Sequence, residues 1–303
     1  MKNILPIILL ATATATAQYA NPIKAPVYTS VEQALPHKAT ATQLNYRDKG
    51  IFHLPQEVTQ LQKLTYLNLM GNHFEEVEPQ VFALKNLEVL NLKLNALKYI
   101  PKDLEKLKSL TTLDVSDNAI QALPQGIGSL QNLSMLILSY NAITFLPNEL
   151  SKCKNIEILE ADSNQLSYLP DDFAKLKKLR QLSLARNQFN ELDESWAALN
   201  ALEDLNLEHN QLKAIPVAFT KLTGLRTLLL NDNRLTKLPE GLDNLGSLQL
   251  LSLANNNIKA LPKNLEGLKE LKTLIITGNP IPAAEVARIK KALPGCAVYA
   301  DKK

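Results

Sequence analysis

Apolar and polar positions recur along this chain with a fixed period of 23 residues. The copy at residues 110–132, LTTLDVSDNAIQALPQGIGSLQN, has Asn118 between two groups of apolar residues. Steps of 23 residues from Asn118 reach an asparagine each time, with no insertion or deletion between copies. A repeat this regular indicates a stack of similar structural units and has to be interpreted before any local motif. The asparagines in register are Asn72, Asn95, Asn118, Asn141, Asn164, Asn187, Asn210, Asn233, Asn256 and Asn279.

Within each copy, the pattern predicts a short strand, a turn and a short helical segment. Leu113 and Val115 alternate with Asp114, which is typical of a strand with one buried face. Pro124 then suits the first turn of a helix, and the apolar residues after it recur at a spacing of three. One copy cannot bury its apolar face alone, so the strands of successive copies are expected to stack in parallel.

The template Leu-x-x-Leu-x-Leu-x-x-Asn-x-Leu, followed by a Leu-Pro pair, resembles that of leucine-rich repeat proteins of the bacterial 23-residue type. The resemblance covers residues 41–299. It implies an α/β leucine-rich repeat solenoid, a curved horseshoe with a concave parallel β-sheet and short helical or 3₁₀ segments on the convex side. It also implies that the stacked asparagines bond the backbone of neighbouring turns, where an unpaired buried group would cost about 1–3 kcal/mol.

The pattern divides the chain into four regions. Residues 1–17, MKNILPIILLATATATA, have the positive start, short apolar run and small-residue site of a secretory signal peptide, with cleavage expected after Ala17. Residues 18–40 are predicted to form an N-terminal cap. Two candidate capping boxes there, Thr29/Glu32 and Ser30/Gln33, precede a short helix that ends near Pro36. About eleven repeats occupy residues 41–279, and the first is degenerate, with Lys49 in place of the asparagine.

Residues 280–303 are predicted to form a C-terminal cap. Its helix is expected from Ala283 to Leu293, and an edge strand is expected at residues 297–299. Cys153 and Cys296 lie six repeats apart, roughly 28 Å at strand spacing, which is too far for a disulfide. Trp196 replaces a smaller apolar residue of the template and is interpreted as local repacking of the convex side.

Charge and composition limit the classes of partner. The 33 Lys and Arg nearly balance the 30 Asp and Glu, which argues against nucleic acid or an anionic membrane as the main partner. The apolar run near the N-terminus is too short to span a bilayer, so no membrane span is predicted. We expect an exported bacterial protein, secreted or periplasmic, that is a monomer.

Catalytic motifs are missing from the sequence. None of the four histidines has a Cys or His partner at zinc-ligand spacing, and there is no Gly-x-Ser-x-Gly elbow or phosphate-binding loop. The sequence therefore predicts a protein that is not an enzyme, with no catalytic residue, metal site or cofactor.

The outward strand positions are the candidate binding surface, because the resemblance places them on the concave face. Apolar residues at 89, 135, 137, 140 and 158 form a patch that the fold does not require, and exposed apolar patches often mark interfaces. Carboxylates at 114, 117, 160, 162, 204 and 208 make the middle of this face acidic. The predicted partner-binding residues are Tyr66, Val89, Asp114, Asp117, Met135, Ile137, Tyr140, Ile158, Glu160, Asp162, Arg186, Asp204, Glu208 and His209.

These observations favour a non-enzymatic protein–protein recognition module that binds a protein or peptide ligand on the concave face. The sequence leaves open whether that ligand belongs to a host surface, to the bacterial envelope or to a free peptide. Two alternatives stand beside this interpretation. One is a structural adhesin or spacer that works by length, and the other is a carbohydrate-binding protein that uses the acidic middle of the face.

Overall fold

Thirteen short parallel strands form one sheet, and their order in the sheet is their order in the chain. The computed structural model describes residues 20–21 and 24–301, so the predicted signal peptide lies outside the described residues. The two edge strands are β1 (Val27–Tyr28) and β13 (Ala297–Tyr299). Between them lie β2 (Gln43–Asn45), β3 (Tyr66–Asn68), β4 (Val89–Asn91), β5 (Thr112–Asp114), β6 (Met135–Ile137), β7 (Ile158–Glu160), β8 (Gln181–Ser183), β9 (Asp204–Asn206), β10 (Thr227–Leu229), β11 (Leu250–Ser252) and β12 (Thr273–Ile275).

Adjacent repeats are in register, since each residue of strands β2 to β11 pairs with the residue 23 positions later, as in Leu113 with Leu136. The two edge strands pair with other offsets, as in Val27 with Gln43 and Thr273 with Ala297. The predicted parallel stack is therefore confirmed. One continuous apolar core runs behind the sheet. The middle residues of the strands pack in it, and Leu113 and Leu136 among them have no exposed surface.

Short 3₁₀ helices form the opposite side of most repeats. The prolines of the Leu-Pro pairs differ from the prediction, because Pro124 is extended and lies at the N-cap, immediately before the helix. Its carbonyl oxygen accepts the first helical hydrogen bond, from Ile127 N at 3.0 Å. The 3₁₀ helices span Leu35–His37, Gln56–Gln60, Pro79–Ala83, Lys102–Lys106, Gln125–Ser129, Asn148–Lys152, Phe173–Lys175, Glu194–Ala198, Val217–Lys221 and Leu242–Asn244.

Trp196 fills the core on the helical side, as the sequence predicts. It is 3% exposed, and its ring centroid lies 6.1 Å from that of Phe173, 5.9 Å from Phe189 and 6.2 Å from Phe219. Asp193, which replaces the template proline, caps the 3₁₀ helix by accepting a hydrogen bond from Ser195 N at 2.7 Å.

The asparagine ladder joins each repeat to the one before it. The side-chain amide of Asn118 donates to Leu92 O at 3.0 Å and to Val115 O at 3.1 Å, while its oxygen accepts from Leu97 N at 3.0 Å. The same contacts recur in later repeats, so the predicted role of these asparagines is confirmed.

Both ends of the stack carry short helices. Helix α1 (Val31–Ala34) begins at Ser30, which accepts from Gln33 N at 3.3 Å, so one of the two predicted capping residues is confirmed. Thr29 instead bonds the Gln33 side chain. At the other end, α2 (Ala283–Ala292) packs Ile289 into the core. The described helices are all too short or too polar to cross a membrane.

The two cysteines are free, as predicted. Cys153 lies in the core with no exposed surface, and its thiol donates to Ile127 O at 3.1 Å. Burial raises the pKa of the Cys153 thiol to about 11, so this residue is neutral and packs as a small apolar side chain.

Candidate binding face

The first and third residues of each strand project from the sheet on the side opposite the core, and we call this surface the open face. Strands β5, β6 and β7 are its central part. Met135 pairs with Ile158 in one row across these strands, and Asp114, Ile137 and Glu160 follow one another in the neighbouring row. Because a residue and its partner in the next strand lie about 4.8 Å apart, each row places its side chains in direct contact distance.

Three apolar residues on this face form a buried cluster separate from the core. Met135 is 6% exposed, Ile137 9% and Ile158 5%. We call these three residues the apolar cluster. The sequence predicts them together but as an exposed patch, which is wrong, since neighbouring strands cover most of their surface. Val89 is half-buried and Tyr140 is 58% exposed, so neither belongs to the buried cluster.

Two carboxylates beside the cluster are held by hydrogen bonds. The Asp114 carboxylate accepts from Ser116 N at 3.0 Å and from Ser116 Oγ at 2.7 Å. The Asp162 carboxylate accepts from Ser183 Oγ at 2.6 Å and from Ala185 N at 2.7 Å, which joins two repeats. Burial raises the pKa of both carboxyl groups, although these hydrogen bonds oppose the shift.

Glu160 differs from these two acids. Within the described part of the chain, its carboxylate has no hydrogen-bond or ion-pair partner, and the residue is only partly exposed. Burial raises the pKa of Glu160, and the charges of Asp162 and Asp114 raise it further, while Lys93 acts in the opposite direction. Glu160 is therefore a partly desolvated carboxylate with no direct ion-pair partner among the described residues, and Lys93 acts on it without contacting it.

The acidic surface continues into the following repeats. The Glu208 carboxylate accepts from the side-chain amide of Asn231, and burial raises the pKa of Glu208. Asp204 accepts from Gln181 Nε2 at 3.2 Å. A hollow on the open face lies between Glu160 and Asp204. It is lined by Glu160, Gln181, Leu182, Ser183, Asp204, Leu205, Asn206, Thr227 and Leu229.

The remaining predicted residues lie toward the edge of the open face. Asp117 forms an ion pair with Lys93 at 3.2 Å, and Arg186 lies 3.2 Å from His209 Nε2. Tyr66 is buried, at 5% exposure. Sequence reasoning missed Lys93 and Asn231, because their partners lie one repeat away and only the stacking of repeats brings them together.

The residue directly before each ladder asparagine has a left-handed backbone, which the sequence analysis did not predict. The φ angle is 54° at Asp117, 58° at Tyr140, 55° at Arg186 and 53° at His209. Asp162 and Glu208 lie one position earlier, so they form a row of their own beside these residues. Glycine is the residue that usually marks a left-handed backbone in a sequence. It occupies this position in the described repeats only at Gly71 and Gly278, so the sequence gives little indication of the conformation.

No group of three or more His, Cys, Asp or Glu residues in the described ranges could hold a metal ion. The acidic side chains of the open face are spread over several rows of the sheet and do not converge on one point. Their arrangement suits contacts with an elongated ligand that lies across several strands.

Comparisons with known proteins agree with this architecture. Family profiles described as leucine-rich repeat match residues 62–120, 108–166 and 131–189, and one described as a leucine-rich repeat region matches residues 162–293. A leucine-rich repeat protein of Leptospira interrogans is 38% identical, with a TM-score of 0.81, over 85% of this chain and 65% of that one. The chain thus spans less than two thirds of the Leptospira protein.

Two structures from Listeria monocytogenes share the fold. The functional domain of InlJ, which includes a cysteine ladder, is 26% identical with a TM-score of 0.63, over 82% of this chain and 57% of that one. An internalin is 16% identical with a TM-score of 0.71, over 88% and 84%, a likeness that concerns the fold alone. No curated protein matches the chain.

Proposed function

This chain belongs to the leucine-rich repeat family, and we propose that it is a non-enzymatic recognition module that binds a protein or peptide partner on its concave sheet face. Leucine-rich repeat folds commonly mediate protein–protein interaction. The observation that carries the proposal is the apolar cluster, which lies on the open face and is separate from the core. The repeat template requires apolar residues behind the sheet, but it requires none at positions 135, 137 and 158.

The composition of the open face supports a protein ligand. Interfaces combine an apolar centre with a polar surround. Here the surround consists of Asp114, Glu160 and Asp162 together with amide and hydroxyl side chains such as Gln181 and Ser183. Because the apolar cluster is small, it can contact only one or two apolar side chains of the ligand. The polar side chains around it would fix the orientation of the ligand.

We also propose that the protein is exported from a bacterial cell, to the periplasm or to the outside. The support is the sequence of residues 1–17, whose positive start, apolar run and Ala15-Thr16-Ala17 site have the pattern of a cleaved signal peptide. N-terminal sequencing of protein recovered from the periplasm or culture medium tests this, and Gln18 is the expected first residue.

The binding proposal is tested with a variant that removes the apolar cluster. Serine at both Ile137 and Ile158 deletes apolar surface without adding charge, whereas aspartate would place like charges beside Asp114 and Glu160. The matched control is Val217→Ser, which removes an apolar side chain that is 64% exposed and distant from the open face. Each protein is immobilised and used to capture partners from bacterial envelope and host-surface extracts.

A protein retained by the wild type and by Val217→Ser, but lost by the Ile137→Ser/Ile158→Ser variant, is the expected result. Thermal melts accompany the capture, since the double substitution must leave a folded protein. Each serine removes a side chain that is less than 10% exposed, so it is expected to cost up to the roughly 2–5 kcal/mol of a core replacement. Equal capture by all three folded proteins would show that the apolar cluster is not the binding site.

A further inference from the structure

The charges of this protein are separated between the open face and the rest of the surface. Between strands β5 and β9, the open face and its edge carry the acids Asp114, Asp117, Glu160, Asp162, Asp204 and Glu208 against Arg186 and His209. The whole chain nevertheless has a formal net charge of +3, so the excess of basic residues lies elsewhere. Such a field attracts cationic ligands to one surface and raises their rate of association.

Carboxylates lie on both sides of the apolar cluster in a single row. Asp114, Ile137 and Glu160 are successive partners across β5, β6 and β7. The Cα atoms of Asp114 and Glu160 are therefore about 10 Å apart, which is two strand spacings, and the Ile137 side chain lies between these residues. Asp162 adds a further carboxylate on the Glu160 side, two residues along the same chain.

Glu160 is the group that most favours a cation from outside the protein. It has no partner within the described residues, and the nearby cation Lys93 is already paired with Asp117 at 3.2 Å. The other charges that act on Glu160 are those of Asp114 and Asp162, and both repel it. A ligand ammonium or guanidinium group would supply the missing counter-charge, and hydrogen bonds to charged groups are among the stronger contacts of this kind.

From this arrangement, we propose that the open face binds an extended basic peptide segment in which lysine or arginine flanks an apolar residue on both sides. This inference rests on the proposed function and specifies the chemistry of the partner. In an extended segment, residues i, i+2 and i+4 point the same way, and the first and last lie about 13 Å apart. When the apolar residue at i+2 contacts the apolar cluster, long basic side chains at i and i+4 therefore extend over Asp114 and Glu160. Glu160 is partly exposed and can be contacted directly, whereas Asp114 is 3% exposed and acts through its charge.

The test selects displayed random dodecapeptides on the purified protein and measures the affinity of the enriched sequences as labelled synthetic peptides. We expect enrichment of the pattern basic–x–apolar–x–basic. Glu160→Gln with Asp162→Asn should weaken these peptides at least about tenfold, and raising the salt concentration should weaken them for the wild type. The control Glu57→Gln with Glu191→Gln removes two exposed acids outside the open face and should leave affinity unchanged.

The reciprocal change in the ligand avoids dependence on the folding of the variant. Replacing the two basic residues of an enriched peptide by glutamine should reduce affinity for the unchanged protein by a similar factor. Neutral or acidic sequences that bind through the apolar cluster would overturn the basic-segment inference while supporting the proposed function. Sequences that bind the Ile137→Ser/Ile158→Ser variant as well as they bind the wild type would overturn both.

Discussion

Asn164 donates its side-chain N–H to the carbonyl oxygen of Leu138, 3.0 Å away in the preceding repeat. Its side-chain oxygen accepts from Ile143 N, also at 3.0 Å, so one amide bonds two backbone groups of a neighbouring turn. Asn164 is 8% exposed, and water therefore has little access to replace these contacts. This relationship recurs along the stack and connects the sequence period to the stability of the fold.

Replacing Asn164 with alanine should destabilise the protein by about 1–3 kcal/mol, because buried backbone groups lose their partners. Chemical denaturation followed by circular dichroism measures this free energy. Asn190→Ala is the matched control, since Asn190 is exposed and has no hydrogen-bond partner among the described residues. Its effect should stay within about 0.5 kcal/mol. Equal effects of the two substitutions would contradict a structural role for the ladder.

Removing one whole repeat should leave a folded protein. Deletion of residues 156–178 keeps the 23-residue phase, and in a stack each repeat contacts mainly its neighbours. Deletion of residues 156–166 removes β7 and its ladder asparagine but keeps the following 3₁₀ segment, so the phase is lost. We expect a cooperative thermal transition for the first variant and none for the second. Similar melting of both would argue against an additive stack.

Leu94 should tolerate asparagine better than valine. Its φ angle is 56° and its side chain is 52% exposed, so backbone conformation rather than packing governs substitutions there. Asparagine adopts the left-handed region more readily than leucine, whereas a β-branched residue is strained in it. Leu94→Asn is expected to be neutral or stabilising, and Leu94→Val should cost about 1 kcal/mol in the free energy of unfolding.

The same two changes at Lys213 provide the control, because this residue is exposed and its φ angle is not positive. Asparagine and valine there should differ by no more than about 0.5 kcal/mol. An equally large difference at both positions would mean that general residue preferences, not the left-handed backbone, explain the result at Leu94.

Stability should increase as the pH falls from 7 toward the ordinary pKa of carboxyl groups, about 4. Burial raises the pKa of Asp114, Glu160, Asp162 and Glu208 in the folded protein. Between the ordinary and the raised pKa, the folded state binds more protons than the unfolded state, so lowering the pH favours folding. Below the ordinary value this gain is complete.

Glu160→Gln isolates one of these groups. The variant should be more stable than the wild type at pH 7, and its stability should rise less on acidification, because the desolvated charge has been removed. Urea denaturation at pH 7, 6 and 5 measures both effects. The Glu285 carboxyl behaves in the opposite way, because its hydrogen bond from Arg288 lowers its pKa in the folded protein. Its ionised form therefore stabilises the fold at neutral pH, and this stabilisation is lost as the pH falls below the ordinary pKa of a carboxyl group. An unchanged pH dependence in Glu160→Gln would contradict the assigned burial.

The sequence by itself determined the repeat, the strands and the core. Equivalents of Leu113, Val115 and Asn118 recur every 23 positions. A pattern repeated this often predicts a parallel stack in which equivalent positions have the same environment in every repeat. The cap residue Ser30 and the packing role of Trp196 also followed, because a local pattern or the position in the template specifies them.

Only the tertiary structure decided the properties of the open face. Ile137 and Ile158 were predicted to be exposed, but neighbouring strands cover them, and exposure depends on side chains that are about 23 residues distant. The same stacking determines that Asp162 is bonded by Ser183 and Ala185 while Glu160 has no such partner among the described residues. The burial of these side chains and their hydrogen-bond partners depend on contacts between neighbouring repeats. The pattern within a single repeat does not specify those contacts.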